Sequence, residues 1–511
     1  MAKYNAKRKT TPEVVVNKQG GQSVAYDPKT ELVAILATGI ENKYYEKEGE
    51  REKRLTEVIE KVAKKDKLFA AKALIYARTV MGQRTVTHLG AVALAKNLSG
   101  DKIGTRFFSK RSRKNNSGGI IFRLDDMLEI ASCYMAKNPG KPLSNAIKKG
   151  FKMALEEADT YELAKYQASS RDVSLVDIVN LVHPKPSKEM ASTFAKLMKG
   201  ELKQFNTVED KNTKAGQEVA AQVKEGRISK KDAEKLLAEV KEENYAELIE
   251  TRKIGYLALL RNLRNILKTG AKADLVKKAS DLLTDEKMVR KSLVFPHQID
   301  LALEIMLSEF GASGARPFIT ALNKAYEIAI PNLTELFTNG KTAVVFDSSG
   351  SMSSHIRLSN NKNGSEAAID KAALIAATLA KGIEADVYHF ADSCQAIEYN
   401  PLDSVNTLKK TFKSKQGKVG YGTNFESIFS KIGNKYDRVF IISDMQGGTR
   451  MIGKSNSHIY SVDICGYGTT SIKPNSKVYQ LFGYSADIYE LIRTVEIDPK
   501  ALFKAIEAIE I

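Results

Sequence analysis

The sequence predicts two architectures in tandem, an α-solenoid of irregular helical repeats followed by a doubly wound, mostly parallel α/β domain. Three observations predict it. From about Thr30 to Thr338, apolar residues recur at i, i+3, i+4 and i+7 in segment after segment, which is the spacing of one buried helix face. From Lys341 onward, short apolar runs alternate with helical stretches, the pattern of βαβ units around a parallel sheet. The two periods meet at the Asn339-Gly340 break.

Taken in order, residues 1–22 are polar and basic, with the glycine pair of KQGGQS, and are expected to form a loose N-terminal arm. Residues 23–340 form the helical region. Its helices are expected at ELVAILATGI, LTEVIEKVAKK, KLFAAKALIYARTV, HLGAVALAKNL, LDDMLEIASCYMA, LSNAIKKGFKMAL, LVDIVNLV, MASTFAKLMK, YLALLRNLRNIL and IDLALEIMLSEF. Short polar or Gly/Pro breaks separate them, as in stacked helix pairs. Within this region 203–250 is highly charged, and Ser229-Lys-Lys-Asp232 opens a helix with a capping signal. A protruding, solvated helical hairpin is expected there. Residues 341–511 form the α/β domain, with strands TAVVFD, ADVYHFA, DRVFIISD and HIYSVDICG and helices SEAAIDKAALIAATLAKG and NFESIFSKIGN.

The chain of 511 residues is 43% hydrophobic and 27% charged, an ordinary globular balance that argues against disorder and against a disulfide miniprotein. No apolar run approaches the roughly 20 residues a membrane span needs, and the basic start MAKYNAKRKTTPEVV lacks the apolar core of a signal peptide. Cys133, Cys394 and Cys465 are far apart, as reduced thiols of a cytoplasmic protein are. The net charge of +18 is uneven. Residues 1–341 hold 60 Lys and Arg against 43 Asp and Glu, and the remainder holds 19 against 18. So one-sided a surplus suits a polyanion, because each neutralised phosphate releases counterions.

The strongest chemical signal ends the first strand of the α/β domain. Asp347, Ser349 and Ser351 follow a D-x-S-x-S spacing, so a loop leaving the carboxyl edge can turn three oxygen groups towards one point. Thr423, in GYGTN, and Asp444, ending IISD, should reach the same edge, where open α/β sheets bind ligands. Hard oxygen donors of this kind suit a divalent metal, Mg²⁺ above all. The five residues resemble the metal-ion-dependent adhesion site of von Willebrand factor A domains. That resemblance implies direct coordination by the hydroxyls, direct or water-mediated binding by the aspartates, and an open position for a partner's carboxylate. Competing chemistries lack their motifs: there is no G-x-S-x-G elbow, no P-loop, no second Asp two residues after Asp347, and no clustered histidines.

In the helical region, Arg106-Phe-Phe-Ser-Lys110-Arg111-Ser-Arg113-Lys114 combines five cations with two aromatics and no acid. Cations for phosphates and rings for unpaired bases suit single-stranded nucleic acid. The same string also fits a solvated loop anchored in the core by its phenylalanines. Further on, Lys165-Tyr166 precedes Arg171, and His183 and Lys185 flank Pro184, so the helix before them must stop and expose both side chains.

Four strings, GIENKYYEKE, SLVDIVNLVHPKPS, LALLRNLRNIL and EKMVRKSLVFPHQIDLALEIM, are similar to segments of TROVE-domain proteins of the Ro autoantigen family. SLVDIVNLVHPKPS, for example, fits that family's S-x-x-D-[LI]-[LV]-x-L-x-H-x-K-P-S stretch. The resemblance implies HEAT-like helix pairs closed into a ring, with a von Willebrand factor A domain attached. It implies small noncoding Y RNA on the basic outer surface and the single-stranded 3′ ends of misfolded RNAs in the central hole. His183 matches the family's Y RNA histidine and Lys165 a nearby basic residue. Arg171 is the nearest candidate for the matching arginine, since this chain is one residue longer between Tyr166 and Ser174.

The expected function is therefore non-enzymatic RNA binding in noncoding RNA quality control by a cytoplasmic monomer. An exoribonuclease or another protein is a further expected partner. Candidate RNA-binding residues are His183, Lys165, Arg171, Lys185, Arg106, Lys110, Arg111 and Arg113. The alternative is a protein-interaction adaptor whose Mg²⁺-dependent A domain captures acidic partners, the basic helices being incidental. A two-metal nuclease would need further acidic pairs.

Overall fold

The computed structural model describes residues 13–41, 43–112, 114–167, 172–202, 208–292, 294, 296–330, 340–353, 355–357, 365–448, 452, 455–483 and 487–511. Residues 1–12 of the expected arm, 203–207 of the charged segment, Asn339, Arg113 and Arg171 lie outside the described residues.

Residues 13–22 are not the loose arm their polarity suggested. β1 (Val14–Val16) and β2 (Gln22–Ala25) pair antiparallel, and β2 pairs in turn with Thr469–Thr470. Asn17 closes the turn: its Oδ1 accepts from the N–H of Gln19 and Gly21, and its Nδ2 donates to Ser23 Oγ and to Gly447 O, both at 2.8 Å. A buried amide satisfied on both sides holds a short hairpin that its own apolar content could not.

Helices follow where the apolar period put them. Asp27 caps the helix Pro28–Thr38 by accepting from Lys29 and Thr30 N–H. The long helix Glu48–Thr79 bends at Asp66, whose φ of −155° and ψ of 77° leave helical geometry. There the carboxylate accepts from Phe69 N–H and from Lys29 Nζ. Thr85–Ala95, Lys102–Phe107 and Leu124–Lys137 come next. A two-residue hairpin, β3 (Arg111–Ser112) with β4 (Ser117–Gly118), separates the last two.

The chain divides into two compact units, and the division does not coincide with the change of period near residue 340. One unit is Met1–Gly150 with Leu333–Asp403 and Leu408–Ile511; the other is Phe151–Asn332 with Ser404–Thr407. The second unit is helical among its described residues. Tyr256–Lys268, Ala273–Leu283 and Arg316–Ala329 each bury one stripe, for example Leu259, Leu263 and Ile266 on the first and Phe318, Leu322 and Ala325 on the last. This is the core face that the 3.6-residue period requires. The charged segment forms the paired helices Val208–Lys224 and Lys230–Glu250. Ser229 Oγ caps the latter by accepting from Asp232 N–H at 3.2 Å. On that helix only Ala233, Tyr245 and Ile249 are buried among the described side chains.

In the first unit lies a six-stranded sheet built from β5 (Thr342–Asp347), β8 (Asp386–Phe390), β9 (Cys394–Ile397), β10 (Arg438–Ser443), β11 (His458–Asp463) and β13 (Val478–Phe482). β6 (His355–Arg357) pairs with β7 (Ser365–Ala367) apart from it, and β12 is Thr469–Thr470. The order across the sheet is β13-β11-β10-β5-β8-β9, all parallel except the antiparallel edge strand β9. Every residue of β5 is buried, which explains its unbroken apolar run. On one face, Val345, Phe390, Val439 and Ile441 pack with Ile428 and Ile432 of the helix Glu426–Ile432, which precedes β10, and with Phe425 at its start. Cys394 and Cys465 are buried and Cys133 half-buried, all three as free thiols. No helix among the described residues is long and apolar enough to cross a membrane.

Candidate metal centre and nucleic-acid surface

β8 and β10 flank β5, so the chain leaves β5 at the point where the winding of the sheet reverses. Parallel strands put the carboxyl ends of all three on one edge, and ligands bind open α/β sheets at such a switch point. Asp347 ends β5 and Asp444 follows β10, so the sheet alone sets the two carboxylates side by side. The loop after Asp347 turns at once into the short 3₁₀ helix Gly350–Ser353, bringing Ser349 Oγ and Ser351 Oγ within 3.2 Å of each other. Asp347 Oδ1 accepts from Ser349 N–H at 2.9 Å and Oδ2 from Ser443 Oγ at 2.6 Å. Ser348 points the other way, its hydroxyl on His389 Nδ1 and Phe390 O.

The loop carrying Thr423 is tied to this edge from three sides. Gly350 N–H donates to Tyr421 O, Gly448 N–H to Thr423 O, and Asn424 N–H to Ala391 O, at 2.8–2.9 Å. Asp392 accepts from Tyr421 N–H at 3.0 Å and lies in the bend of the loop. A Cβ on Gly420 would come within 1.8 Å of its carboxylate, and one on Gly422 within 2.2 Å. Gly420 also has φ +101°, a backbone state costly for any other residue. These glycines explain why GYGTN can carry Thr423 to the edge. Asp392 was not singled out in the sequence, where nothing marks an aspartate as the post around which a distant loop folds.

All five residues expected at the centre converge there and are buried, Asp347, Ser349 and Asp444 completely. Burial pushes both carboxyls above the usual range, and the charge of Asp347 adds to the rise at Asp444. Two polar atoms are left over. Thr423 Oγ1 and Asp444 Oδ2 are buried without a hydrogen-bond partner, although Asp444 Oδ1 accepts from Gln446 N–H at 3.0 Å. Two adjacent buried carboxylates and an orphaned hydroxyl form a donor set that a small divalent cation would satisfy. Asp463, at the end of β11, is different: Cys465 N–H, Gly466 N–H and the Tyr26 hydroxyl saturate its carboxylate.

The expected RNA-binding residues are placed less uniformly. His183 is exposed at the left-handed end of the helix Leu175–Val182, with φ 46°. Lys185 is exposed two residues on, its N–H donating to Glu156. Lys165 is exposed, with its ammonium 5.5 and 5.8 Å from the ring centres of Tyr161 and Tyr166. Arg106 is exposed in the last turn of Lys102–Phe107, and Lys110 is half-buried.

Arg111 is a correction. It is 1% exposed. Its guanidinium donates to Asn116 Oδ1, Asn116 O, Gly118 O and Glu510 O, so its donors serve the β3–β4 hairpin and no phosphate can reach them. Phe107 and Phe108 are fully buried, packed edge to face at 4.9 Å, so they anchor the loop and do not stack on bases.

A sequence profile of the TROVE domain matches residues 234–326. The matched part lies wholly within the second compact unit. Over 92% of its length the chain is similar in fold to 99% of the crystal structure of the Deinococcus radiodurans Ro (Rsr) protein, with a TM-score of 0.57 and 15% sequence identity. No curated protein matches the sequence.

Proposed function

We propose that this chain is a non-enzymatic RNA-binding protein, a cytoplasmic monomer acting in noncoding RNA quality control. A small Y-like RNA would bind a basic outer surface, and single-stranded 3′ ends of misfolded RNAs would enter a ring closed by the helices. One observation carries the reading. Residues 1–150 hold 30 Lys and Arg against 15 Asp and Glu, whereas residues 151–332 hold 29 against 27. The surplus of the helical part is thus concentrated in its first half, where Lys61, Lys64, Lys65, Lys96, Lys102 and Arg106 are exposed. Exposed cations in such excess bind nucleic acid through counterion release, without reading sequence.

Titrating a single-stranded RNA at increasing salt tests this. Each phosphate contact should contribute a slope of about −0.7 to log K against log salt. Affinity that stays flat from about 50 to 200 mM salt refutes the reading. For the proposed Y RNA contact, His183→Ser should weaken a Y-like RNA more than a generic strand. Equal loss for both would make His183 structural.

The proposed cofactor is Mg²⁺, held by Asp347, Ser349, Ser351, Thr423 and Asp444 as in a von Willebrand factor A domain. Bound there, the ion would offer a coordination position to a carboxylate. Its orphaned donors, Thr423 Oγ1 and Asp444 Oδ2, also favour a second reading, an adaptor that captures acidic partners, an exoribonuclease among them. In that case Asp347→Ala abolishes partner capture and leaves RNA binding untouched. A single hydroxyl-rich centre lacks the further acids of a two-metal nuclease.

A further inference from the structure

The loop that brings Thr423 to the metal edge also brings cations there. No acid stands between Asp403 and Glu426, and that stretch holds five lysines, Lys409, Lys410, Lys413, Lys415 and Lys418. The rest of residues 342–511 holds 14 Lys and Arg against 18 Asp and Glu, so the cations of an otherwise acidic domain gather at one place. Lys409 is buried, and Lys413 pairs with Asp370 at 2.6 Å. Half-buried Lys415 and exposed Lys418 have no ion pair or side-chain hydrogen bond among the described residues. Their loop is fixed to the one that carries Ser349 and Ser351. Gln416 Nε2 donates to Ser353 Oγ at 2.9 Å and to Ser349 O at 3.4 Å, and Gly417 N–H donates to Ser348 O at 3.4 Å. Tyr421, whose carbonyl accepts from Gly350 N–H, is 71% exposed. Its ring lies against two glycines: a Cβ on Gly350 would stand 3.8 Å from Tyr421 Cδ1, and one on Gly417 would stand 2.9 Å from its hydroxyl. A large ring is thus seated beside the centre with most of its surface in solvent.

We propose that Lys415, Lys418 and Tyr421 select the partner of the metal edge: a short protein segment with several consecutive acids and an apolar side chain next to them. This deepens, and rests on, the reading of the five residues as a Mg²⁺ centre that captures acidic partners. A divalent ion and the carboxylates of Asp347 and Asp444 cancel in charge, so the centre by itself attracts no anion from a distance. Two unpaired ammonium groups on the adjoining loop supply that attraction, and it grows with each further acid. Asp392 also lies against this loop, but its carboxylate accepts from Tyr421 N–H in the bend. Tyrosine is a residue type that anchors an apolar neighbour at low entropic cost. The extent of the charge favours a protein segment over RNA. A strand held along many phosphates needs a long basic groove, and away from this loop acids outnumber cations in the domain.

The test uses the full-length chain and two fluorescent peptides, Gly-Ser-Phe-Glu-Asp-Glu-Gly-Ser and its single-acid form Gly-Ser-Phe-Ser-Asp-Ser-Gly-Ser. Binding is followed by anisotropy in Mg²⁺ and in EDTA. The acidic peptide should bind more tightly than the single-acid one, and only with Mg²⁺. Lys415→Gln with Lys418→Gln should weaken it roughly three- to twentyfold, the worth of two exposed ion pairs, and largely remove the preference between the peptides. Mg²⁺ affinity, by calorimetry, should not fall, because the loss of two cations cannot disfavour a third. Tyr421→Ala should weaken both peptides alike, about two- to tenfold, because both carry the phenylalanine. Lys431→Gln with Lys435→Gln is the control, the same charge change just before β10 and so at the opposite edge of the sheet. An equal loss in the control, an undiminished preference or a fall in Mg²⁺ affinity without Lys415 and Lys418, or acidic-peptide binding that survives EDTA overturns the inference. So does a short oligouridine strand whose Mg²⁺-dependent binding needs the two lysines while the acidic peptide's does not, which makes the loop a nucleic-acid surface. A wild-type chain that binds no Mg²⁺ sinks the metal reading itself. One that binds Mg²⁺ but does not distinguish the peptides sinks only the choice of partner.

Discussion

Thr423→Val should change the stability of the protein in opposite directions with and without metal. Thr423 is 3% exposed, and its Oγ1 has no hydrogen-bond partner. A hydroxyl buried without a partner costs about 1–3 kcal/mol, and valine replaces it with a methyl of similar size. In EDTA the variant should therefore be more stable than wild type, by about 1–2 kcal/mol. With Mg²⁺ the hydroxyl becomes an asset. An ion at 100 times its Kd stabilises the native state by about 2.7 kcal/mol. If losing one ligand weakens binding about tenfold, the same Mg²⁺ concentration supplies only about 1.4 kcal/mol. The Mg²⁺-induced increment should thus roughly halve while the metal-free baseline rises. Urea unfolding of both proteins, with EDTA and with Mg²⁺, measures all four values. A variant less stable in EDTA, with a full Mg²⁺ increment, would show that Thr423 Oγ1 serves the metal-free fold and not an ion.

Gly420→Ala should cost about 1–3 kcal/mol of stability and weaken Mg²⁺ binding, since its Cβ would enter the Asp392 carboxylate. Gly433→Ala, with positive φ but nothing within 4 Å, should cost less and leave the ion untouched, as calorimetry will show. His88 gives a pH dependence. Burial opposes its charge, but hydrogen bonds to Asp126 and Glu129 outweigh that and raise its pKa. The folded state therefore holds the proton more tightly, and this stability is complete below the unfolded value of about 6.5 and lost as pH rises through the raised one. The urea midpoint of wild type relative to His88→Gln should accordingly shrink from about pH 6 to pH 9, and a difference that grows with pH refutes the assignment. Arg106→Ala should lower the salt slope of RNA binding by about one contact. Arg111→Ala should leave the slope alone and destabilise the β3–β4 hairpin by about 2–4 kcal/mol, by leaving three carbonyls without their donor.

The sheet was legible because a parallel strand buried on both faces writes itself as an apolar run, and TAVVFD is β5 to the residue. The five metal-centre candidates were legible for a related reason: each follows a strand end or a glycine turn, and topology carries them to one edge. What stayed hidden depends on contacts that no local window contains. Arg111 looks like its neighbour Arg106 in sequence, yet one folds inward onto carbonyls that include Glu510 O, 399 residues away, and the other stays in solvent. Asn17 sits in a polar stretch whose strand partner is β12. The charge asymmetry was visible at once, but its concentration in residues 1–150 became meaningful only when the compact units were known.

That β2 pairs with β12, and that the Tyr26 hydroxyl bonds Asp463 across 437 residues, sets a timetable for biosynthesis. A ribosome adding about 5–20 residues per second needs roughly 20–90 s to travel between those two positions. For that interval the opening hairpin and the helices behind it exist without the strands against which they bury Tyr26 and Val24, while the intervening helical unit is already complete and can fold. The middle of this protein should thus reach its native state before its beginning does. The earliest-made segment, carrying most of the net positive charge, waits longest with its apolar surface uncovered, and it is the segment on which a nascent-chain chaperone would act.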